Sequence, residues 1–300
     1  MSSAKNVAAS IRQKLLNRAR SDKRPFAELL QYYAMERFLY RLSQSSHSKH
    51  FILKGALMLR VWQSPEFRPT MDIDMLGKTS NDEASIVTQT TDILDVAVDP
   101  DGLIFDVSSI QSERITEDAD YQGIRVRFRS TLDSARINMQ IDIGFGDIVY
   151  PNPEEAELPT MLDFNAPRLL CYSRESAIAE KFEAMVKLGI LNSRMKDFFD
   201  IWLLSRQFNF EGSQLLQAIQ LTFEQRGTPM PGDIVAFQAS FVAEKQVQWA
   251  AFYRRIALEH LPKDFSDIVS QVTFFLAPII KSTLSGQQFN KNWIAANGWY

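Results

Sequence analysis

Cysteine is nearly absent: Cys171 stands alone in 300 residues, which excludes an internal disulfide framework and any Cys-x-x-Cys metal site. Histidine is scarce too, and His47, His50 and His260 show no metal-ligand spacing. No G-x-G-x-x-G fingerprint and no G-x-x-x-x-G-K-[ST] loop occurs, so the common dinucleotide and P-loop chemistries are excluded. Long hydrophobic runs are missing. The run Phe274-Phe-Leu-Ala-Pro-Ile-Ile280 is broken by proline and too short to cross a bilayer, and the amino terminus lacks the apolar segment of a secretory signal. These absences predict a cytoplasmic protein with no membrane partner. Repeats and low-complexity tracts are absent as well.

What is present is an ordinary globular composition, 45% hydrophobic and 23% charged. The net charge of −3 argues against a generic nucleic-acid binder, yet charge is unevenly spread. Residues 1–60 carry 12 Lys and Arg against 3 Asp and Glu, and the remainder is acidic. Such a basic arm suits either an anionic partner or helices with solvated cations.

Apolar spacing predicts helices over 7–20 and 25–43, with Pro25 in the first turn of the second. A short buried strand is expected at Phe51–Lys54, a tight turn at Gly55, and a helix over Ala56–Trp62. Met71–Leu76 alternates apolar and acidic residues at the strand period, and a helix is expected over Asp82–Val96. Ile104–Ile115, Gly123–Ser130 and Arg136–Ile143 are spaced as antiparallel neighbours. Pro151, Pro153, Pro159 and Pro167 mark an extended connection, which places the domain boundary at 160/161. Helices are expected after it over 176–187, 194–206 with Ser193 as N-cap, 213–226, 233–259 and 264–284.

The informative segment is Lys54-Gly55-Ala56 followed by Asp72-Ile73-Asp74. On a strand, residues i and i+2 share a face, so both carboxylates converge on one point. That arrangement is unfavourable without a cation, and hard oxygen ligands select Mg²⁺ or Mn²⁺ together with substrate phosphates. A glycine before a helix lets backbone N–H groups approach a phosphate. Asp-x-Asp alone also fits a solvated strand face, but Arg68 and Thr70 stand beside it. A third carboxylate, Asp142, interrupts the β-branched strand 138–144, a local contradiction of the kind that marks function. Three strand carboxylates are what two-metal phosphoryl-type transfer requires. Cys171 suits a small buried residue. Trp249, Phe252 and Tyr253, interleaved with Arg254 and Arg255, are spaced as helical core, with base stacking the lesser alternative.

The blocks Phe51–Leu59, Arg68–Met75, Gln140–Asp147, and Glu175–Lys181 followed by Asn192–Asp200 resemble the AbiEii/AbiGii-type nucleotidyltransferase toxins, which include the MenT group. The likeness covers roughly residues 1–205, in the right order. It implies an α+β fold: a polymerase-β-type nucleotidyltransferase domain with a mixed sheet and basic N-terminal helices over 1–160, then a helical domain over 161–300. It also implies that Asp72 and Asp74 bind the metal, that Asp142 completes the acidic triad, and that Lys181 and Lys196 contact the nucleotide's phosphates. Lys54, Gly55, Ala56, Arg68, Thr70, Arg194, Asp197 and Asp200 would complete the nucleotide site, the last two by orienting Lys181, Lys196 or Arg194. On spacing alone, Lys181 also suits a solvated flanking lysine, and Lys196 with Asp200 an ordinary helical pair. One departure stands out, since the superfamily carries Gly-Ser where this chain has Gly55-Ala56, so no hydroxyl meets phosphate at 56.

The activity implied is transfer of a nucleoside monophosphate from an NTP to an acceptor hydroxyl, with Mg²⁺ or Mn²⁺ as cofactor. The acceptor implied is the 3′ end of tRNA, which would block translation in a toxin–antitoxin or phage-defence pair with a separately encoded antitoxin. Transfer to a protein or small molecule, and a non-catalytic nucleotide-binding module, are the alternatives.

Overall fold

The computed structural model describes residues 2–65, 68–118, 121–256 and 258–300. The chain divides into two compact units, one of Met1–Gly146 with Glu154–Cys171, the other of Asp147–Pro153 with Tyr172–Tyr300. The protein is α+β: a seven-stranded mixed sheet lies in the first unit and a helical assembly in the second.

The first unit opens with two helices, α1 (Ser2–Ser21) and α2 (Phe26–Gln44). In α1, Ile11, Leu15 and Ala19 turn one stripe inward while Arg18 and Arg20 sit in the last turn. Pro25 lies one position before α2, as its N-cap residue, where its missing N–H removes nothing from the helix. Helix α2 is buried on nearly every side, from Leu29 to Leu42, and is the central helix of this unit. Part of the basic arm is therefore internal. Arg37 and Arg41 are 2% and 6% exposed, and both bind Asp101, Arg41 Nη1 at 2.6 Å from its Oδ2. Neither guanidinium is a surface cation offered to an anionic partner.

The sheet runs β3-β4-β5-β2-β1-β7-β6. Its strands are β1 (Phe51–Lys54), β2 (Ile73–Gly77), β3 (Leu103–Asp118), β4 (Tyr121–Leu132), β5 (Ala135–Phe145), β6 (Glu154–Glu157) and β7 (Arg168–Cys171). As the spacing predicts, β3, β4 and β5 are antiparallel neighbours. Strand β2 pairs parallel with β5 and antiparallel with β1. On β4 the alternation is complete: Ile124, Val126 and Phe128 are buried against the helices, while Arg125, Arg127 and Arg129 take the other face. The predicted helix over Ala56–Trp62 is short, a 3₁₀ turn over Gly55–Leu57 and then α3 (Met58–Val61). Helix α4 (Glu83–Leu94) is capped by the Asp82 carboxylate, which accepts from the Ser85 N–H. The proline-rich stretch expected as a connection contains β6, which zips antiparallel onto β7 at the sheet's far edge.

The second unit contains α5 (Arg174–Leu188), α6 (Met195–Gln207), α7 (Gly212–Gln225), α8 (Ala239–Ile256) and α9 (Phe265–Ser285). Residue 257, inside the helix expected over 233–259, lies outside the described residues. A small sheet of β8 (Phe210–Glu211), β9 (Asn292–Ile294) and β10 (Gly298–Trp299) goes unannounced in the sequence. Ser173 caps α5 by accepting from the Ser176 N–H. Ser193 does not cap α6: Arg194 takes that position with no side-chain cap, and the Asn192 side-chain Oδ1 accepts the Arg194 N–H at 2.8 Å. Helix α9 is long and apolar enough, by length and composition, to cross a membrane, although the run 274–280 by itself is not. Its apolar stripe from Phe265 to Ile280 is buried within this unit, where Phe265 meets Phe198 and Trp249, and Phe275 meets Trp293. Trp249 and Phe252 are core residues, 0% and 5% exposed, so they offer no face to a base.

Candidate active site

The site follows from strand register. Lys54 on β1 stands opposite Asp74 on β2, Asp74 stands beside Asp142 on β5, and Asp142 stands opposite Arg125 on β4. Glu113 on β3 faces Arg125 in turn. Because register partners share a face, five charged residues form one row across the sheet, with Asp74 and Asp142 side by side between Lys54 and Arg125. Asp72 sits one residue before β2 rather than within it, and the i, i+2 relation still brings it to the same place. Ligand oxygens of Asp72, Asp74 and Asp142 all lie within 4.8 Å of one another.

Like charges held that close repel unless a cation joins them. The donor set consists of carboxylate oxygen alone, without nitrogen or sulfur, which fits Mg²⁺ or Mn²⁺ and disfavours zinc or copper. Two neighbours discipline the set. The Thr70 hydroxyl donates to Asp72 Oδ1 at 2.5 Å. Arg125 grips Asp142 through two bonds, Nε to Oδ1 and Nη2 to Oδ2, each 2.7 Å. Arg125 is the functional residue that sequence reasoning missed; its hydrogen bonds to Asp142 hold the guanidinium all the more firmly protonated.

Helix α2 sets the approach to the triad. The Gln31 amide donates to the carbonyls of Met71 at 2.9 Å and Asn138 at 3.0 Å, pinning the entrances of β2 and β5 together. The Tyr32 hydroxyl accepts the Thr70 N–H at 3.2 Å. These anchors fix the segment that aims Asp72. Arg68 is half-buried two residues earlier.

Gly55 has φ +76°, and a Cβ there would lie 2.0 Å from Asp74 Oδ2. Both the backbone conformation and the space demand glycine. Lys54 beside it is half-buried, and Ala56 is 5% exposed in the following 3₁₀ turn. With so little helix after Gly55, any phosphate contact here rests on backbone N–H groups rather than on a helix dipole.

In the second unit, Lys181 Nζ on α5 reaches Asp200 Oδ2 at 2.8 Å and Asp197 Oδ1 at 3.3 Å on α6. Arg194 Nε meets Asp197 Oδ2 at 2.9 Å. Asp197 and Asp200 are 1% and 3% exposed, so two buried carboxylates hold two partly exposed cations. Asp200 thus pairs across helices rather than along its own, and Lys196 stands exposed on the first turn of α6. Cys171 is buried, and burial pushes its thiol up to about 12, so it is no nucleophile.

A glycine turn set against carboxylates on adjacent strands of a mixed sheet suits metal-assisted chemistry on a phosphate, as in the nucleotidyltransferases. The family model for the nucleotidyl transferase AbiEii toxin of type IV toxin–antitoxin systems matches residues 37–271, and the chain belongs to that family. Among solved structures it is similar to a candidate nucleotidyltransferase from Helicobacter pylori, at 14% identity and TM-score 0.44, covering 87% of this chain and 98% of that one. It is also similar to JHP933 from Helicobacter pylori, at 14% identity and TM-score 0.43, covering 86% and 94%. No curated protein matches.

Proposed function

We propose that this protein is a divalent-metal-dependent toxin that moves a nucleoside monophosphate from an NTP onto the 3′-hydroxyl of tRNA. The observation that carries the reading is the meeting of Asp72, Asp74 and Asp142 within 4.8 Å, with Gly55 pressed against Asp74. Asp72 and Asp74 would hold Mg²⁺ or Mn²⁺, with Asp142 completing the set. A cation bound there neutralises charge on the transferring phosphates and polarises the reacting phosphorus.

The chain's own residues supply the rest. Thr70 and Arg125 keep the carboxylates aimed, so little reorganisation accompanies substrate binding. Lys54 and the backbone at Gly55-Ala56 receive the triphosphate on the β1 side, and Arg68 adds a cation at the entrance. The family resemblance assigns Lys181, Arg194 and Lys196 to phosphate contacts as well, and Asp197 and Asp200 hold Lys181 and Arg194 in place. The acceptor oxygen attacks the α-phosphorus, the bond to the β-phosphate oxygen breaks, and pyrophosphate leaves. The acceptor proton passes to Asp142 or to solvent.

Extension of tRNA 3′ ends would block translation, which accounts for toxicity in a toxin–antitoxin or phage-defence pair with a separately encoded antitoxin. The site of action would be the cytoplasm, where tRNA and NTP meet. The test is to incubate wild type and Asp72→Ala with total tRNA and each labelled NTP in Mg²⁺. Label on RNA with wild type only is the expected result. Label on protein or small molecules would replace tRNA as acceptor, and no label under any condition would reduce the chain to a nucleotide-binding module.

A further inference from the structure

A cavity of about 760 Å³ adjoins the triad on the same sheet face. It begins at Asp72 and extends over β5, β4 and β3, away from Gly55. Its floor is polar: Arg127 and Arg129 from β4, Asn138 and Gln140 from β5, and Gln111 from β3. Its far wall is a bulge. Asp106 pairs with Arg129 and Gln111 with Arg127, so four residues of β3 stand against Phe128 alone. Ser108, Ser109 and Ile110 from that bulge rim the cavity, and Ser109 Oγ accepts the Arg129 N–H at 2.8 Å. Bulges beside active sites re-aim side chains, and this one turns a flat sheet face into a trough.

From this geometry we infer that the trough holds the single-stranded 3′ end of the acceptor polynucleotide. The inference rests on the nucleotidyl-transfer reading and adds the direction of approach. In-line displacement puts the attacking and departing oxygens on opposite sides of the phosphorus. If the departing phosphates lie toward Lys54 and Gly55 on β1, the attacking hydroxyl arrives from the β5–β4 side, where the trough opens onto Asp72.

The lining chemistry fits a nucleotide chain. Arg127 and Arg129 lie roughly 7 Å apart along β4, comparable with the phosphate spacing of an extended strand. The amides of Asn138 and Gln111 offer both donors and acceptors to base edges, while Gln140 accepts from Arg127 Nε at 3.2 Å and donates to Asp142 at 3.4 Å, tying the trough floor to the triad. A smaller hollow of about 270 Å³ continues past Met71 and Asn138 to the exposed Arg136. In the described structure Arg127 pairs with Glu113 at 2.9 Å and Arg129 with Asp106 at 3.0 Å, but every side chain in these pairs is 40% exposed or more. Such solvated pairs are weak and exchange readily for phosphate.

The experiment measures transfer to a short RNA hairpin carrying a single-stranded 3′ overhang, across a salt series. It compares wild type, the double variant Arg127→Gln/Arg129→Gln and the charge-retaining Arg127→Lys/Arg129→Lys. In the Gln variant the acceptor KM is expected to rise at least tenfold, while the KM for NTP and the melting temperature stay put. The dependence of log KM on log salt should flatten by roughly 1.4, two single-strand phosphate contacts. The Lys variant should recover most of the affinity. An unchanged acceptor KM in an active Gln variant, or an equal rise in the NTP KM, would overturn the trough and leave the transferase reading intact. A wild-type enzyme that labels protein instead of RNA would overturn both.

Discussion

The Asp74 side chain fills the space that a side chain at Gly55 would need. A Cβ on residue 55 would stand 2.0 Å from the Asp74 Oδ2 and 2.7 Å from its Cβ, at a backbone φ of +76°. The glycine is thus demanded by the carboxylate as well as by the turn. Gly55→Ala would push the Asp74 side chain off the triad, and a displacement of that size lowers transfer by about 100-fold. Most of the fold should survive, because the strain is local. A cooperative melting curve lowered by only a few degrees, for the roughly 1–2 kcal/mol that a Cβ costs at positive φ, together with lost transfer is the expected pair of results; retained transfer would refute the steric argument.

The triad predicts a stability signature that needs no substrate. Asp74 and Asp142 are neighbours in the β2–β5 register, so without a cation they repel. Mg²⁺ or Mn²⁺ should raise the melting temperature, by an amount corresponding to about 2.7 kcal/mol at 100 times its dissociation constant. In Asp74→Asn the metal-dependent rise should vanish, while the metal-free variant melts above metal-free wild type. A wild-type melting curve indifferent to both cations would remove the metal from this site.

The strands that carry the site were legible because each alternates cleanly. Ile73 and Met75 flank Asp74, and Ile141 and Ile143 flank Asp142, so period and polarity agreed. The register that lines Asp74 up with Asp142 was not legible, because nothing in either strand alone specifies a parallel partner. Arg125 was missed for the same reason. Arg125, Arg127 and Arg129 look alike in sequence, and only the tight β4–β5 turn at Asp133, φ 53°, decides which one meets Asp142. Strands β6 to β10 run from two to four residues, too short to show a period. The Lys181 cluster needed the family resemblance, since its ion pairs join two helices rather than neighbours on one.

Glu36 gives a pH prediction away from the chemistry. It is 2% exposed, and burial pushes its carboxyl up to about 7, against lowering by the Met161 N–H and Arg37. A raised folded value means that the folded state holds a proton the unfolded chain has released. This contribution to stability is complete below the unfolded value and fades as pH rises through about 7. The loss from pH 5 to pH 8 amounts to about 3 kcal/mol. Glu36→Gln keeps an acceptor for Met161 and should flatten that slope. Parallel denaturation curves for wild type and variant across this range would show that Glu36 is not the group responsible.

Arg125 separates aiming from charge. Its two 2.7 Å bonds hold both oxygens of Asp142, which is 9% exposed. A lysine can supply the charge but not the planar fork, so it cannot fix the carboxylate's rotation. Arg125→Lys should therefore lower kcat by roughly 10- to 100-fold, the usual effect of losing a residue that orients a metal ligand. The KM for NTP and the melting temperature should change little. Arg125→Ala leaves a nearly buried carboxylate short of partners, so stability should fall as well, by about 1–3 kcal/mol. Steady-state kinetics and melting of both variants tell the roles apart: loss of stability alone would make Arg125 a structural counter-ion, while loss of kcat in the stable lysine variant marks it as the residue that positions Asp142.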